Sequence, residues 1–299
     1  MNQAAGSGEN TRLIVLNSVV ATIGGFLFGF DSGVINGTQD GLHQAFRSGE
    51  WMQGFEIASM LLGCAVGAFS AGRLADRLGR RNVLILSAVM FLLSALGAGA
   101  AVSSGWFIAA RVVGGFAVGA ASVISPAYIA EVAPARYRGR LATVQQIAII
   151  TGLTAAFLSN YLLAAAAGAS TEPLWGGQAA WRWMFWMQAA PSLLFLLLLL
   201  TIPESPRYLV VKRRKDDALR VLTRLLGSDK ARATLEEIDA SLSNDHHRPR
   251  LSDLKSRASR ASRVRVEVKA GDDDLLKVYD HFKPGAPEFA ALLPQGMAQ

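Results

Sequence analysis

The sequence predicts an all-α membrane protein with six transmembrane helices and a few short cytoplasmic helices. The 299 residues are 51% hydrophobic, and mean hydropathy is +0.29. The apolar residues gather into runs of about twenty, the length of helix that crosses a bilayer. Charged residues are crowded into the short connections and the last third of the chain. The connection Gly72–Arg81 holds four arginines, which cannot lie in hydrocarbon and indicate a tight turn at a membrane surface.

Six apolar runs are long enough to span the membrane. The second and third flank the arginine turn, and Trp181 and Trp183 open the sixth as part of an interfacial aromatic belt. Outer connections are expected at Gly37–Glu50, Ser103–Gly105 and Gly168–Ala180. The predicted spans are Leu13–Ile35, Met52–Ala71, Val83–Val102, Trp106–Ile129, Leu141–Ala165 and Trp181–Ile202.

Basic residues are divided unequally between the two sides of the predicted bundle. The inner connections hold nearly all of them, including those of a second cationic turn, Pro126–Arg140, which has a proline on each side. The outer connections hold Arg47, with Arg182 at a boundary. Because an excess of Lys and Arg in short loops marks the cytoplasmic side, we expect a multi-pass protein of the cell membrane with both termini in the cytoplasm.

The bundle is expected to be followed by a cytoplasmic region. Asp216–Leu226 has helical spacing of leucines with Gly227 as its C-cap, and Ala231–Leu242 is a second amphipathic helix. Val264, Val266 and Val268 alternate as in a strand, but with no sheet to join, so we expect a weakly ordered tail. The predicted divisions are a cytoplasmic tail at 1–12, the six-span bundle at 13–206, a cytoplasmic helical linker at 207–250 and the tail at 251–299.

Other classes of protein are disfavoured. The net charge of +7 does not indicate a nucleic-acid partner, because the basic residues lie at the ends of apolar runs, facing a lipid bilayer surface. The single cysteine, Cys64, allows no intrachain disulfide. The four histidines lack metal-ligand spacing, and Gly114–Gly119 lies in a span and follows no strand, so no dinucleotide motif is present. We expect no metal, no cofactor and no enzymatic activity.

Asp31 and Arg111 both lie inside predicted spans, where a lone charge costs about 3 kcal/mol or more. Asp31 is late in an outward-running helix and Arg111 is early in an inward-running one. The two can therefore lie at similar depth and pair. A nearby cation favours the ionised aspartate and desolvation favours the neutral one, so a conformation that separates them would take up a proton. The alternative is a static ion pair that holds two helices together.

Several motifs together resemble those of the sugar porter family of the major facilitator superfamily. Gly72–Arg81 is similar to the superfamily's loop between helices 2 and 3. Pro126-x-Tyr128-x-x-Glu131-x-x-Pro134, followed by Arg138-Gly139-Arg140, and Pro203-Glu204-Ser205-Pro206-Arg207 resemble more specific sugar porter motifs. The resemblance runs from Leu13 to Lys255. It implies half of a major facilitator fold, because the family has twelve spans in two six-helix halves.

The resemblance also implies functional residues. Asp31 corresponds to the family's protonation site and Arg111 to its partner. Gln146 corresponds to a sugar-contacting glutamine, with an interhelical hydrogen bond as the alternative. Phe28 corresponds to an aromatic residue lining the cavity, with helix packing as the alternative. A cytoplasmic charge network that holds the inner gate shut is implied for Asp76, Arg80, Arg81, Glu131, Arg138, Arg140, Glu204 and Arg207.

The alternative for the arginines of this network is that they only set the orientation of the chain in the membrane. Asp76 and Glu131 argue against this alternative, because acidic residues are not needed to set orientation. The function implied is transport of a sugar, with protons as co-substrate and a complementary C-terminal half as a further partner. The alternative is a truncated or frameshifted membrane protein that does not transport, or a half that needs a partner half.

Overall fold

The computed structural model describes residues 10–133, 135–244, 265–270 and 274–279. The chain divides into two compact units, Met1–Ser241 and Leu242–Gln299, and each is treated by itself. In the first unit, six helical segments are long and apolar enough to cross a membrane, counting α6 and α7 below as one. The predicted fold class is confirmed.

The helices of the described part follow the predicted spans in order. Helices α1 to α5 and the pair α6 and α7 are the six apolar segments, and α8 to α10 form the charged region after them. Their bounds are α1 Thr11–Phe46, α2 Glu50–Leu78, α3 Arg80–Gly99, α4 Ser104–Val132, α5 Ala135–Ala167, α6 Ala180–Trp186, α7 Ala189–Leu199, α8 Pro206–Val211, α9 Lys215–Leu226 and α10 Ser228–Asn244.

The first outer connection is much shorter than predicted. Helix α1 continues through most of Gly37–Glu50 and ends at Phe46, followed by Arg47, which has a left-handed backbone with φ 47°. Gly37 and Gly41 are packing residues. A Cβ on Gly37 would lie 2.5 Å from Asn160 Nδ2, and one on Gly41 would lie 2.5 Å from Trp181 Cδ1. The prediction of a loop over 37–50 is therefore wrong, because these glycines allow close helix contact and do not break the helix.

The arginine turn is reduced to a single residue. Helix α2 runs to Leu78 and α3 begins at Arg80, so Gly79 alone is non-helical, with φ 97°. Pro126, which was expected to close a turn, lies inside α4. Both cationic stretches therefore lie largely within helices that continue beyond the apolar runs.

The sixth span is two helices with a break between Trp186 and Ala189. Pro191 has no N–H to donate to the carbonyl of Met187, four residues earlier, and its ring crowds that carbonyl. The break falls at this position and places Gln188 between the two helices. The predicted span over Trp181–Ile202 is still one membrane-crossing segment, Ala180–Leu199, interrupted at Met187 and Gln188.

Two seams of glycine hold the bundle together. Between α2 and α4, a Cβ on Gly115 would lie 2.0 Å from the carbonyl oxygen of Met60, and one on Gly119 would lie 2.1 Å from that of Cys64. Between α1 and α5, a Cβ on Gly29 would lie 1.9 Å from the carbonyl oxygen of Ile149. Only glycine permits such approach, so these seams fix the register of both helix pairs.

The second unit contains a two-stranded antiparallel sheet. Strand β1 (Arg265–Ala270) pairs with β2 (Asp274–Tyr279), and Val266 lies opposite Val278 and Val268 opposite Leu276. The alternating valines were expected to have no strand to join, and that expectation is wrong. Val264 lies outside the described residues.

In the first unit, Gly227 ends α9 with φ 83°, as predicted.

Candidate functional site

Asp31 and Arg111, which were predicted to pair, meet in the bundle. Arg111 Nη1 on α4 donates to Asp31 Oδ1 on α1 at 2.5 Å, and each side chain is only 3% exposed. On both helices the pair separates two buried apolar clusters. Leu27 and Ala117 belong to one cluster, the inner one in the predicted orientation, while Val34 and Phe107 belong to the other, the outer one. A charge buried among apolar groups is stable only when it is paired, and each residue supplies that partner to the other.

A third residue, Gln188, completes the contacts of Asp31. Its Nε2 donates to Asp31 Oδ1 at 2.8 Å, and the side chain is buried. The proline-dependent break between α6 and α7 sets the position of this amide. Gln188 was not predicted from the sequence. A polar residue three positions before a proline in an apolar span was the available signal, but its partner lies 157 residues away.

The guanidinium of Arg111 has donors that form no strong hydrogen bond in the described part of the chain. Its Nη2 lies 3.1 Å from Met60 Sδ, a weak acceptor, and its carbon lies 5.8 Å from the ring centroid of Phe185. Arg111 Nε and Asp31 Oδ2 are buried, and neither has a hydrogen-bond partner among the described residues. Asp31 therefore has one oxygen that accepts two hydrogen bonds and a second oxygen to which a proton could add.

Gln146 and Phe28 are not in this cluster. Gln146 is exposed on α5. Its neighbour Gln145 lies against α1, since a Cβ on Gly25 would lie 3.2 Å from the carbonyl oxygen of Gln145. Gly25 precedes Asp31 by about 9 Å along the helix axis. Phe28 is half-buried and packs against the inner apolar cluster. An exposed amide two turns below a buried ion pair remains available to a ligand.

At the end of the bundle where α2 meets α3, Glu204 caps a helix that is distant in sequence. The N-terminus of α3 has no side-chain cap of its own. Glu204 Oε1 accepts from the backbone N–H groups of Arg80 at 3.0 Å and Arg81 at 3.1 Å, and from Ser205 N at 2.8 Å. A carboxylate at a helix N-terminus satisfies unpaired N–H groups and complements the helix dipole. Glu204 thus ties the end of the sixth span to the start of the third.

Glu131 and Arg80 form the ionic part of the same cluster. Arg80 Nε lies 3.1 Å from Glu131 Oε2, and its Nη1 lies 3.3 Å from Asp76 Oδ1. Ser205 Oγ donates to Glu131 Oε2 at 2.5 Å. Helices α2, α3, α4 and α8 therefore converge on one network.

The remaining predicted members of the network differ. Arg81 donates to the carbonyl oxygens of Leu199 at 3.0 Å and Leu200 at 2.9 Å, so it caps the end of α7 and forms no ion pair in the described part. Arg140 and Arg207 are exposed, and neither has an ion pair among the described residues. The side chain of Arg138 lies outside the described residues. The structure thus joins Asp76, Arg80, Arg81, Glu131 and Glu204, and leaves Arg140 and Arg207 at the surface.

Comparison with known proteins places this geometry in context. The family model described as "Sugar (and other) transporter" matches residues 17–268, a range that extends past Lys255, where the resemblance was expected to stop. The chain is 49% identical to a glucose transport protein of Synechocystis over 84% of this chain and 53% of the relative. It is 37% identical to the D-xylose-proton symporter of Escherichia coli over 80% of this chain and 53% of that relative. The chain thus spans about half the length of these curated relatives.

Solved structures agree with the sequence matches. A structure of the proton:xylose symporter bound to 6-bromo-6-deoxy-D-glucose is similar with a TM-score of 0.73 at 36% identity, over 79% of this chain and 54% of that chain. The partially occluded inward-open form of the xylose transporter from Escherichia coli gives a TM-score of 0.72 at 35% identity, over 78% of this chain and 60% of that chain.

Proposed function

Because this chain belongs to the sugar (and other) transporter family, we propose that it forms one six-helix half of a transporter that moves a sugar together with a proton across the cell membrane. The matched family is one of transporters, not of enzymes. The buried pair of Asp31 and Arg111 is the observation that carries the proton-coupling proposal, since one Asp31 oxygen has no hydrogen-bond partner among the described residues and can accept a proton. The symporters among the relatives support it.

The physical mechanism follows from the pair. With Arg111 and Gln188 bonded to Asp31 Oδ1, the ionised carboxylate is stabilised. A conformational change that lengthens either contact leaves a buried charge without its partners, which favours protonation at Oδ2. Proton uptake neutralises Asp31 and weakens its attraction to Arg111. Coupling thus needs movement between α1, α4 and the break in the sixth span.

Sugar binding is proposed at the face that carries Gln146. Its amide can donate to and accept from sugar hydroxyls, and Phe28 contributes an apolar surface nearby on α1. Transporters of this architecture bind substrate between two helical repeats, so a complementary six-helix half supplies the other wall. Which sugar is bound is left to direct measurement of the chain with its partner half.

The cytoplasmic cluster is proposed as the inner gate. Arg80, Glu131 and Glu204 connect the cytoplasmic ends of the helices, and Arg140 and Arg207 lie exposed at the same end, where a partner half can meet them. The cationic turns at this end support an orientation with both termini in the cytoplasm.

The proposal is tested by reconstitution into liposomes. The chain is joined to the complementary six-helix half of the Synechocystis relative, and uptake of radiolabelled glucose and xylose is measured under an imposed proton gradient. We expect accumulation above the external sugar concentration that a protonophore abolishes. The chain by itself should give no flux above empty vesicles, because it provides one wall of the site. Saturable, stereoselective uptake by the chain alone, or accumulation unaffected by the protonophore, would contradict the proposal.

A further inference from the structure

A second acid is buried in the bundle near the candidate site. Glu56 on α2 is 0% exposed, and neither of its carboxyl oxygens has a hydrogen-bond partner among the described residues. Buried polar groups in proteins almost always have partners, and a buried carboxylate without one is very costly. Glu56 therefore either carries a proton or has a partner that the described arrangement does not engage.

The glycine seam between α2 and α4 locates this acid. Met60 packs at Gly115 and Cys64 packs at Gly119, so the two helices run in the same direction in a fixed register. One helical turn further toward the outer end, the same register places Glu56 opposite Arg111. Met60 is on the same face as Glu56, one turn away, and its Sδ touches Arg111 Nη2. Glu56 and Arg111 are thus neighbours across the seam.

The hydrogen-bonding capacities of the two groups are complementary. Arg111 gives one bond to Asp31 and one to a thioether, and its Nε is unused in the described part. Both carboxyl oxygens of Glu56 are without a hydrogen-bond partner in the part of the chain that the structure describes. A guanidinium binds carboxylates in a fork of parallel bonds, and a switch from Asp31 to Glu56 would replace the weak sulfur contact with a charge-assisted one.

Other charged groups on the elements packed against α2 are distant from this point. On α1, besides Asp31, Asp40 is exposed more than two turns further along and Arg12 lies at the opposite end. On α3 and α4 the described charges besides Arg111 are Arg80, Arg81 and Glu131, all in the cytoplasmic cluster. Asp31, Arg111 and Glu56 therefore form a separate set of one cation and two acids.

We propose that Glu56 is the second proton-binding acid of this site and the alternative partner of Arg111, an inference that rests on the proposed proton coupling at Asp31. In the arrangement described here, Glu56 holds the proton and Asp31 is the carboxylate paired with Arg111. When Asp31 binds a proton, Glu56 releases its own, and the guanidinium turns from Asp31 to the Glu56 carboxylate. One proton is bound and one is released, so the three groups stay neutral overall and no unpaired charge is left in the bilayer.

The proposal is tested by infrared spectroscopy of the purified chain in detergent near neutral pH. A protonated carboxyl has a carbonyl stretch separate from the amide and carboxylate bands. We expect such a band in the wild type, its loss in Glu56→Gln, and its retention in Glu50→Gln, which changes an exposed acid on the same helix. A band that persists in Glu56→Gln at wild-type intensity would overturn the proposal.

Asp31→Asn provides the second arm. With Asp31 neutral, Arg111 needs Glu56 as its counterion, so the band should also disappear in Asp31→Asn and persist in the control Asp40→Asn. The double variant Asp31→Asn/Glu56→Gln should lower the unfolding temperature by more than the sum of the two single changes, because Arg111 then has no carboxylate. Additive shifts, or a band retained in Asp31→Asn, would contradict the handover.

These outcomes are independent of transport. If sugar accumulation requires Asp31 but the band survives Glu56→Gln, only the assignment of Glu56 fails. If the band behaves as expected but Asp31→Asn still accumulates sugar, the proposed coupling fails while the second buried acid stands.

Discussion

The two carboxyl oxygens of Asp31 differ in how many hydrogen bonds they accept. Asp31 Oδ1 accepts from Arg111 and Gln188, whereas Oδ2 accepts from no described residue. A site in which every polar group was satisfied would be rigid. The unequal bonding leaves this site able to change its protonation and its pairing.

The contribution of Gln188 to this balance is measurable. Gln188→Leu removes the 2.8 Å bond to Asp31, and loss of a hydrogen bond to a charged group costs about 1.5–3 kcal/mol. We expect a lower thermal unfolding temperature for the purified chain. Gln178→Leu, in the exposed outer connection, is the matched control and should have little effect. Equal shifts in the two variants would show that the bond to Asp31 contributes nothing.

The sequence allowed part of this site to be predicted and not the rest. Asp31 and Arg111 were identifiable because a charge in an apolar span is costly and calls for a partner. Gln188 was not identified, and neither was Glu56, although Glu56 lies in the predicted span Met52–Ala71 and the same cost applies to it. The positions of both residues relative to the ion pair depend on tertiary contacts. The first depends on a helix break and the second on the α2 and α4 register set by Gly115 and Gly119.

Individual helices are joined through their ends and through the glycine seams. Gly79 illustrates the first case, because it separates α2 from α3 with φ 97° and leaves the N–H groups of α3 open to Glu204. Hydropathy predicts that a turn lies between the two spans. It does not predict that the turn is one residue long, nor that its cap comes from the far end of the bundle.

Gly79→Ala tests this connection. A non-glycine residue with φ 97° and ψ 160° costs about 1–3 kcal/mol, and the new Cβ would lie 2.2 Å from Glu204 Oε2. We expect a clear loss of stability in thermal unfolding. Gly72→Ala in α2 is the control, since a Cβ there meets nothing within 4 Å and alanine favours a helix by about 1 kcal/mol. If both variants lower stability alike, the strained turn and its Glu204 contact are not important.

Gly115→Ala tests the seam that positions Arg111. Its Cβ would lie 2.0 Å from the carbonyl oxygen of Met60, so α2 must move away from α4 and take Met60 from the guanidinium. We expect destabilisation of at least about 1–3 kcal/mol, the cost of overpacking, measured by thermal unfolding. Gly105→Ala, at the open start of the same helix, should be close to wild type. Wild-type stability of Gly115→Ala would contradict the observed seam.

At the scale of the whole molecule, hydropathy and the cationic turns predicted the six spans and their order. Helix ends were predicted less well, because α1 and α5 continue past the apolar runs into residues that resemble loops. The pairing of Val266 and Val268 with β2 was not predicted, since the partner strand has no clear alternation of its own. The orientation of the bundle remains a prediction.

Cysteine labelling tests that orientation. In a Cys64→Ala background, single cysteines replace Gly49 and Gln178 on the outer side and Arg232 in α10, all three exposed. An impermeant maleimide added to intact cells should label the first two and leave the third unlabelled until the membrane is opened. Labelling of the α10 position in intact cells would contradict cytoplasmic termini.

The central claim is that Asp31 carries the coupled proton, and one measurement tests it most directly. In the joined transporter, sugar accumulation under a proton gradient is compared with equilibrium exchange for Asp31→Asn and for the exposed control Asp40→Asn. We expect Asp31→Asn to abolish accumulation but retain exchange, and Asp40→Asn to retain both. Accumulation by Asp31→Asn at the wild-type level would contradict the account and leave Asp31 and Arg111 as a static pair between two helices.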